Sequence, residues 1–224
     1  LITYTASETA LDGYNGGVAA AAVRDGNTFT FTNTINQAYV DVSVTKTWVG
    51  GSSDYRPSLT FNLKDGSTVV ATKYGTDLAD NGGVLGLSFT NLPKYDFSNG
   101  GCRVISYTVE ETMGGALAVR YSSSLSTEDG VFAFTNTFDP GETEVSGTKT
   151  WIAGDFSAEV KVGLFVGDTM IDSQTTSSLT YSFSPLDAYA VDGSEIAYYV
   201  RELDANDAPI APGGTYTLND VGYT

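Results

Sequence analysis

The chain of 224 residues contains a repeat with one fixed period. Pairs of equivalent residues lie 103 positions apart in three separate motifs: Lys46 and Lys149, Asn33 and Asn136, Glu8 and Glu111. The matched segments are VSVTKTWVG (42–50) with VSGTKTWIA (145–153), FTFTNT (29–34) with FAFTNT (132–137), and ITYTASET (2–9) with ISYTVEET (105–112) and, more loosely, IAYYVREL (196–203). Three motifs sharing one period predict tandem domains of about a hundred residues.

The order of the motifs predicts where each domain begins and ends. Residues 1–39 carry only the later motifs and should be the C-terminal part of one domain. Residues 40–139 carry all of them and should be a complete domain. Residues 140–224 carry the early motifs and end before an asparagine motif, so we expect a third domain that lacks its last strand. The joints between them are short, which favours a stiff rod of domains.

Alternating apolar and polar residues between turn signals predict an all-β fold. In the complete copy, seven segments alternate in this way and are separated by glycine-rich or Asp-rich turns. They are VDVSVTKTWV, SLTFNLKD, STVVATKY, LGLSFTNL, RVISYTVEET, RYSSSLST and VFAFTNTF. Seven short strands in about a hundred residues indicate an immunoglobulin-like β-sandwich.

Three of these strands carry one polar side chain on an otherwise apolar face. Lys46 alternates in phase with Val42, Val44 and Trp48, Glu111 with Tyr107 and Val109, and Asn136 with Phe132 and Phe134. Alternate residues of a strand point to one face, so all three polar side chains should lie inside the sandwich. The copies repeat the pattern at Lys149 and Glu202, and at Glu8 and Asn33.

Two explanations fit a buried amine, carboxylic acid and carboxamide. They could form a hydrogen-bonded polar cluster, at a considerable desolvation cost. Alternatively they could react. Burial favours the neutral forms of an amine and a carboxylic acid, and a neutral amine is a nucleophile that can displace ammonia from an asparagine held close to it. The acid would polarise the amide carbonyl and carry protons, and the product would be a Lys–Asn isopeptide bond made without a cofactor.

The motifs resemble those of Cna B-type domains, the B repeats of Gram-positive collagen adhesins. The resemblance rests on segments spread over nearly the whole chain: TKTW at 45–48 and 148–151, RPSLTFNL at 56–63, FTNLPKYD at 89–96, YTVEE at 107–111 and FTNT at 134–137. It implies that the first-strand lysine joins the last-strand asparagine with help from the acid of the YTVEE strand. It assigns these roles to Lys46, Asn136 and Glu111, and incompletely to Lys149 with Glu202 and to Asn33 with Glu8.

The resemblance also implies a structural function. We expect a stalk or fibre repeat of a cell-wall-attached or secreted surface protein, either an adhesin or a pilus-like protein, rigidified by these bonds. Its partners would be neighbouring repeats and, in a fibre, other chains. The alternative is an adhesin module that contacts a host or matrix molecule itself, through exposed aromatic residues such as Tyr55, Tyr74 and Tyr95. We expect no catalytic turnover beyond the single self-cross-linking event.

The composition of the chain excludes or disfavours several other kinds of site and partner. The net charge of −16 disfavours nucleic acid and anionic membranes as partners. The chain has no histidine and one cysteine, Cys102, so a Ser/His/Asp triad, a disulfide framework and a thiolate zinc site are excluded. No segment is long and apolar enough to span a membrane. The acidic loops at 77–82 and 204–208 lack the complete spacing of a calcium loop, so we expect no metal or other cofactor.

Overall fold

The computed structural model describes residues 2–98, 100–151, 159–211, 216–218 and 221–223. Within these ranges the regular elements are β-strands and short 3-10 helices, with no α-helix. The 3-10 helices are Asn15–Gly17, Ser53–Tyr55, Gly75–Asp77 and Ala116–Arg120. None of the helices in the described ranges has the length and hydropathy needed to cross a membrane. The all-β prediction is therefore confirmed.

The strands are numbered here in chain order. The first twelve are β1 Val23–Asp25, β2 Thr28–Thr30, β3 Tyr39–Val49, β4 Ser58–Asp65, β5 Thr68–Tyr74, β6 Ala79–Asp80, β7 Leu85–Pro93, β8 Tyr95–Asp96, β9 Arg103–Val104, β10 Tyr107–Gly114, β11 Tyr121–Glu128 and β12 Val131–Phe138. The others are β13 Glu142–Thr148, β14 Val160–Val166, β15 Thr169–Thr176, β16 Thr180–Asp187, β17 Tyr198–Leu203, β18 Tyr216–Leu218 and β19 Val221–Tyr223.

The chain divides into two compact units. The first comprises Leu1–Val49, Pro57–Ala118 and Ser122–Thr137. The second comprises Gly50–Arg56, Val119–Tyr121 and Phe138–Thr224.

Two sheets form the sandwich of the first unit. One has five strands in the order β11-β12-β3-β7-β6, and the other has three in the order β10-β4-β5. The long strand β3 lies in the middle of the larger sheet, where it pairs parallel with β12 and antiparallel with β7. Its alternating sequence fits this position because one face turns towards the core and the other away from it. Val42, Val44 and Lys46 are the buried residues of β3.

The apolar core lies between these two sheets. Phe61 and Leu63 of β4 are completely buried, and Phe134 of β12 lies with its ring centroid 5.7 Å from that of Phe61. Both sheets contribute to one contiguous cluster, namely Val42, Val44, Leu59, Phe61, Leu63, Leu87, Phe89, Val109 and Phe134. Each such side chain contributes about 1.5–3 kcal/mol when fully buried, so this cluster is the main source of the unit's stability.

One arginine ties three strands together at the end of the smaller sheet. Arg103 of β9 donates two hydrogen bonds to the carboxylate of Asp65 in β4, at 2.9 and 2.6 Å. It also donates to Asp96 Oδ2 in β8, at 3.0 Å. The bidentate contact fixes the guanidinium in one orientation.

Strand formation departs from the sequence expectation in two places. The segment RVISYTVEET is interrupted at Ile105 and Ser106, which separate β9 from β10. Residues 2–11 contain no strand, and Ile2 and Tyr4 are 77% and 66% exposed. Tyr107, the equivalent of Tyr4 in the middle copy, pairs with Asp65 of β4, whereas the only ladder described in residues 2–38 is the β1–β2 hairpin. A lone hairpin is too small to organise further strands around it.

The second unit repeats the sandwich topology in reduced form. Its three-stranded sheet β15-β14-β17 has the same order as β5-β4-β10, and β13 pairs antiparallel with β16 as β3 does with β7. Its core cluster is formed by Trp151, Val160, Val162, Leu164 and Phe183. Among the described strands β16 is the pairing partner of β13, and β18 pairs with β19.

Candidate functional site

A buried ion pair bridges the two sheets of the first unit. Lys46 Nζ of β3 lies 3.0 Å from Glu111 Oε1 of β10, and the two side chains are 0% and 1% exposed. Both residues sit where their strand parity predicted. An ion pair out of contact with water is costly to desolvate, and it persists only if geometry and further hydrogen bonds are good.

The second oxygen of Glu111 is held by a different strand. Ser123 Oγ of β11 donates a hydrogen bond to Glu111 Oε2 at 2.8 Å. The carboxyl group is therefore fixed at both oxygens, with Oε1 turned towards the lysine. The neighbouring Glu110 points to the opposite face, where it forms an ion pair with Lys64 and its side chain is 51% exposed.

Asn136 is buried on the same sheet as Lys46. It is 0% exposed, and its Nδ2 donates to the thioether sulfur of Met113 in β10 at 3.2 Å. Its Oδ1 is buried and has no hydrogen-bond partner among the described residues. A buried carbonyl oxygen without a donor is costly, so a donor placed next to Oδ1 would stabilise it.

The pairing of β3 with β12 makes Lys46 and Asn136 diagonal neighbours. Lys46 is opposite Phe134 and Asn136 is opposite Trp48 in the parallel register. One strand spacing and two residue rises separate the two α-carbons by about 8 Å on a common face. A lysine side chain that extends along the sheet can cover most of that distance.

Apolar and aromatic groups surround the polar side chains. Lys46 lies between Phe134 and Leu85 in the sheet, and its ammonium is 4.7 Å from the centroid of the Trp48 ring. In the three-stranded sheet, Glu111 of β10 is paired with the fully buried Phe61 of β4. These contacts keep water away from the polar side chains, so the site has a low local dielectric.

The second unit contains the same pair in a more open setting. Lys149 Nζ lies 2.5 Å from Glu202 Oε1, and the side chains are 22% and 27% exposed. The lysine ammonium again lies over a tryptophan ring, 4.6 Å from the centroid of Trp151. In the first unit β12 pairs with the strand that carries Lys46, whereas β16 is the strand described beside β13, which ends at Thr148 just before Lys149.

In the N-terminal copy, the acid Glu8 and the amide Asn33 are in contact. The described residues of this copy contain no strand equivalent to β3, which carries the lysine in the middle copy. Asn33 Nδ2 donates to Glu8 Oε1 at 2.9 Å, and Asn15 Nδ2 donates to Asn33 Oδ1 at 2.8 Å. Asn33 is exposed, whereas Glu8 Oε2 is buried and has no hydrogen-bond partner in the described part of the chain. Glu8 and Asn33 are therefore joined by a hydrogen bond.

Sequence reasoning missed two residues that contact the site. Met113 continues the alternation of Tyr107, Val109 and Glu111, so its parity could have placed it on the buried face. Ser123 gave no such signal, because it is an exposed residue in a strand whose residues after Tyr121 are all exposed. Both contacts depend on how strands of the two facing sheets are aligned. The alternation of residues within a single strand does not determine that alignment.

The other candidate features lie on the surface or in turns. Tyr55 and Tyr74 are 47% and 56% exposed and lie outside the core. In the acidic loops, Asp80 accepts from the Gly83 amide and Asp204 accepts from the amides of Asn206 and Ala208. No group of three or more acidic or cysteine side chains able to hold a metal ion occurs in the described ranges.

Comparison with known proteins identifies relatives of this arrangement. The sequence model described as the Cna protein B-type domain matches residues 42–137 and 145–214. These two segments together cover well over half of the chain and contain Lys46, Glu111, Asn136, Lys149 and Glu202. A search of curated protein sequences found no match.

Solved structures give a similar result at the level of the fold. The crystal structure of two B repeat units (B1B2) of the collagen binding protein (CNA) of Staphylococcus aureus is similar with a TM-score of 0.53 and 22% sequence identity. The similarity covers 92% of this chain and 53% of that one, so the chain spans about half the length of the matched structure. The pilus adhesin SpaC from Lactobacillus rhamnosus GG also matches, with a TM-score of 0.34 and 14% identity over 88% of this chain and 26% of that one.

Proposed function

Because the chain belongs to the family of Cna protein B-type domains, we propose that it is a structural repeat of a bacterial surface adhesin or pilus-like protein. We further propose that Lys46 and Asn136 become joined by an isopeptide bond that forms autocatalytically with Glu111. In this proposal residues 40–139 form the complete domain, residues 1–39 are the C-terminal part of another, and residues 140–224 are a domain without its last strand.

The observation that carries the proposal is the buried ion pair beside a buried amide. Lys46 and Glu111 meet at 3.0 Å with almost no exposure, and Asn136 lies diagonally beside Lys46 on the neighbouring strand. An ion pair with a purely structural role would add little to the stability of the fold here, because apolar residues of similar volume often stabilise a core equally well. A reaction that needs an amine, an acid and an amide in a dry pocket accounts for all three.

The proposed reaction begins with a proton transfer between Lys46 and Glu111. A proton moves from the Lys46 ammonium to the Glu111 carboxylate, which leaves a neutral amine. The amine attacks Cγ of Asn136 while the protonated acid donates to Oδ1, which has no other donor among the described residues. The attacking amine then releases a proton, which Glu111 transfers to Nδ2 of Asn136. The bond between Cγ and Nδ2 breaks, and Nδ2 leaves as ammonia. The new bond joins Lys46 Nζ to Cγ of Asn136.

A bond at this position would suit a repeat that is under mechanical tension. It would join β3 to β12, the first and last strands of the proposed complete domain. A covalent tie that closes a loop of this size restricts the unfolded chain as a disulfide does, by about 4–5 kcal/mol in the chain-entropy model. It requires no oxidant, which suits a surface protein with a single cysteine.

The other two copies are proposed to use the same groups. Lys149 and Glu202 supply an amine and an acid, and Glu8 and Asn33 supply an acid and an amide. A bond at either place would need a lysine beside Asn33 or an asparagine beside Lys149. The proposed location is the cell surface or a secreted fibre, with neighbouring repeats, other chains of a fibre or a matrix ligand as partners.

The intact mass of the 224-residue chain tests the proposal. The wild-type chain should weigh one ammonia less than its sequence predicts, and digestion should yield a peptide in which Lys46 is linked to Asn136. The Lys46→Ala and Asn136→Ala variants should both show the full mass. A full mass for the folded wild-type chain would remove the covalent mechanism and leave the buried pair as a structural cluster.

A further inference from the structure

We propose that Met113 is a positioning residue for the isopeptide reaction. Its thioether sulfur holds the Asn136 carboxamide in the orientation in which Nδ2 faces the sulfur and the buried Oδ1 is left to accept a hydrogen bond from Glu111. This inference rests on the proposed function, because it concerns the same reaction. The sulfur does not take part in bond making or breaking.

Two contacts cross the interior of the sandwich side by side. Glu111 and Met113 are two residues apart on β10, so their side chains leave the same face of that strand. Glu111 reaches Lys46, and Met113 reaches Asn136 with its sulfur 3.2 Å from Nδ2. The i, i+2 spacing on β10 therefore matches the diagonal offset of Lys46 and Asn136 on β3 and β12.

The sulfur contact decides which end of the carboxamide faces which neighbour. Without a directional partner, an amide can exchange its oxygen and nitrogen by rotation about the last side-chain bond. In the observed orientation Nδ2 donates to the sulfur and Oδ1 is on the far side of the group, buried and without a donor in the described residues. The rotated orientation would place a carbonyl oxygen against the sulfur, which has no hydrogen to donate.

A thioether is suited to this task because it is a weak acceptor. It can hold an N–H in place through a soft, polarizable contact in an apolar pocket. It cannot take up or supply a proton, so it does not compete with Glu111 for the proton that travels to Nδ2. A hydroxyl or carboxyl at the same position would introduce a second proton donor or acceptor next to the leaving nitrogen.

The contact is particular to the middle copy. The residue two positions after the acid is Ala10 in the N-terminal copy and Asp204 in the third. Asp204 accepts hydrogen bonds from the amides of Asn206 and Ala208, so it stabilises a turn there. Met113 is therefore a feature of this one site and not part of the motif that all three copies share.

Timed cross-linking of the full chain tests the role of Met113. The chain and its variants are made by cell-free translation, quenched in denaturant at intervals and digested, and the Lys46–Asn136 linked peptide is quantified by mass spectrometry. Met113→Leu keeps the volume and removes the acceptor, and Met113→Gln restores an acceptor oxygen. Met170→Leu is the matched control, since Met170 is the other methionine of the chain and lies on β15 with 40% exposure.

We expect Met113→Leu to slow bond formation about three- to tenfold, as loss of one hydrogen bond would do. Met113→Gln should recover most of the rate, and Met170→Leu should match the wild type. The thermal transition of Lys46→Ala/Met113→Leu, compared with Lys46→Ala, measures packing alone and should change by no more than a few degrees.

Two results would overturn the inference while the proposed function stands. One is an unchanged rate in Met113→Leu, and the other is an equal slowing in Met113→Leu and Met113→Gln, which would indicate packing. A wild-type chain that never loses ammonia would instead remove the proposed function and, with it, the reaction that Met113 is meant to assist.

Discussion

At the scale of single residues, the first unit contains a charge pair where an apolar core would be expected. Lys46 and Glu111 lie among Phe61, Phe134 and Trp48, and each is almost completely removed from water. Removing one member of such a pair leaves the other buried and uncompensated, which is much more costly than exchanging both for apolar groups. The pair is therefore sensitive to single substitutions in a way that its surface counterparts are not.

Substituting Glu111 should abolish the cross-link and also destabilise the fold. In Glu111→Gln the acid is lost, which should prevent proton transfer. The buried ammonium then faces a neutral amide, which should cost about 3–5 kcal/mol relative to the uncross-linked Asn136→Ala chain, in which the ion pair is intact. Intact mass reports the missing bond, and urea denaturation reports the stability.

Glu110→Gln is the matched control for that substitution. Glu110 is the adjacent residue on the opposite face of β10, and its pair with Lys64 is half exposed. We expect the bond to form normally and stability to change by less than about 1 kcal/mol. Equal behaviour of the two variants would mean that burial of Glu111 has no part in the chemistry.

At the scale of strands, parity in the sequence was enough to place the three polar residues inside the sandwich. The segments SLTFNLKD and VFAFTNTF coincide with β4 and β12, and Lys46, Glu111 and Asn136 are buried as their alternation predicted. Parity does not specify which strands face each other or with what offset. The contacts of Met113 and Ser123, the exposure of Lys149 and the absence of a strand over residues 2–11 all depend on those neighbours, so the sequence pattern did not reveal them.

The short β8–β9 ribbon has a pH dependence with a defined sign. The pKa of Asp96 is lowered from 3.8 to about 2, first by the side-chain hydrogen bond from Ser98, then by the Ser98 amide and Arg103. Because the folded pKa is below the unfolded one, this group stabilises the fold fully above pH 3.8 and loses its effect as the pH falls towards 2. Ser98→Ala should raise the pKa of Asp96 towards 3.8, as measured by a carbon NMR titration of the side-chain carboxyl.

The second unit provides a control for this titration. Asp192 also has a lowered pKa, caused first by the side-chain hydrogen bond from Ser194. Its titration should be unchanged in Ser98→Ala and should move upward in Ser194→Ala. If Asp96 titrated identically in the wild type and Ser98→Ala, the side-chain hydrogen bond from Ser98 would not be what lowers its pKa.

At the scale of the whole molecule, the proposed bond would divide the chain into segments that can and cannot extend. About ninety residues between Lys46 and Asn136 would be enclosed in a covalent loop, while the flanking segments remain linear. Mechanical unfolding of the first unit would then extend only the flanking chain, because the enclosed residues cannot lengthen under tension.

Pulling on the two ends of the full chain should reveal this difference. After complete unfolding, the cross-linked wild-type chain should be shorter than Asn136→Ala by roughly 300 Å of contour length, from about 3.4 Å for each enclosed residue. Asn136→Ala is the better comparison because it leaves the Lys46–Glu111 pair in place. Equal final lengths would show that no bond closes this loop.

The parallel pairing of β3 with β12 has a mechanical consequence that does not depend on any covalent bond. Neighbouring strands that run in the same direction begin at one end of the sheet and finish at the other, so the chain enters at Tyr39 and leaves at Phe138 on opposite sides. Tension applied along the chain therefore loads this ladder in shear. All of its hydrogen bonds, over seven register pairs from Val131 to Thr137, must then yield together, whereas antiparallel neighbours pulled from one end would unzip one pair at a time.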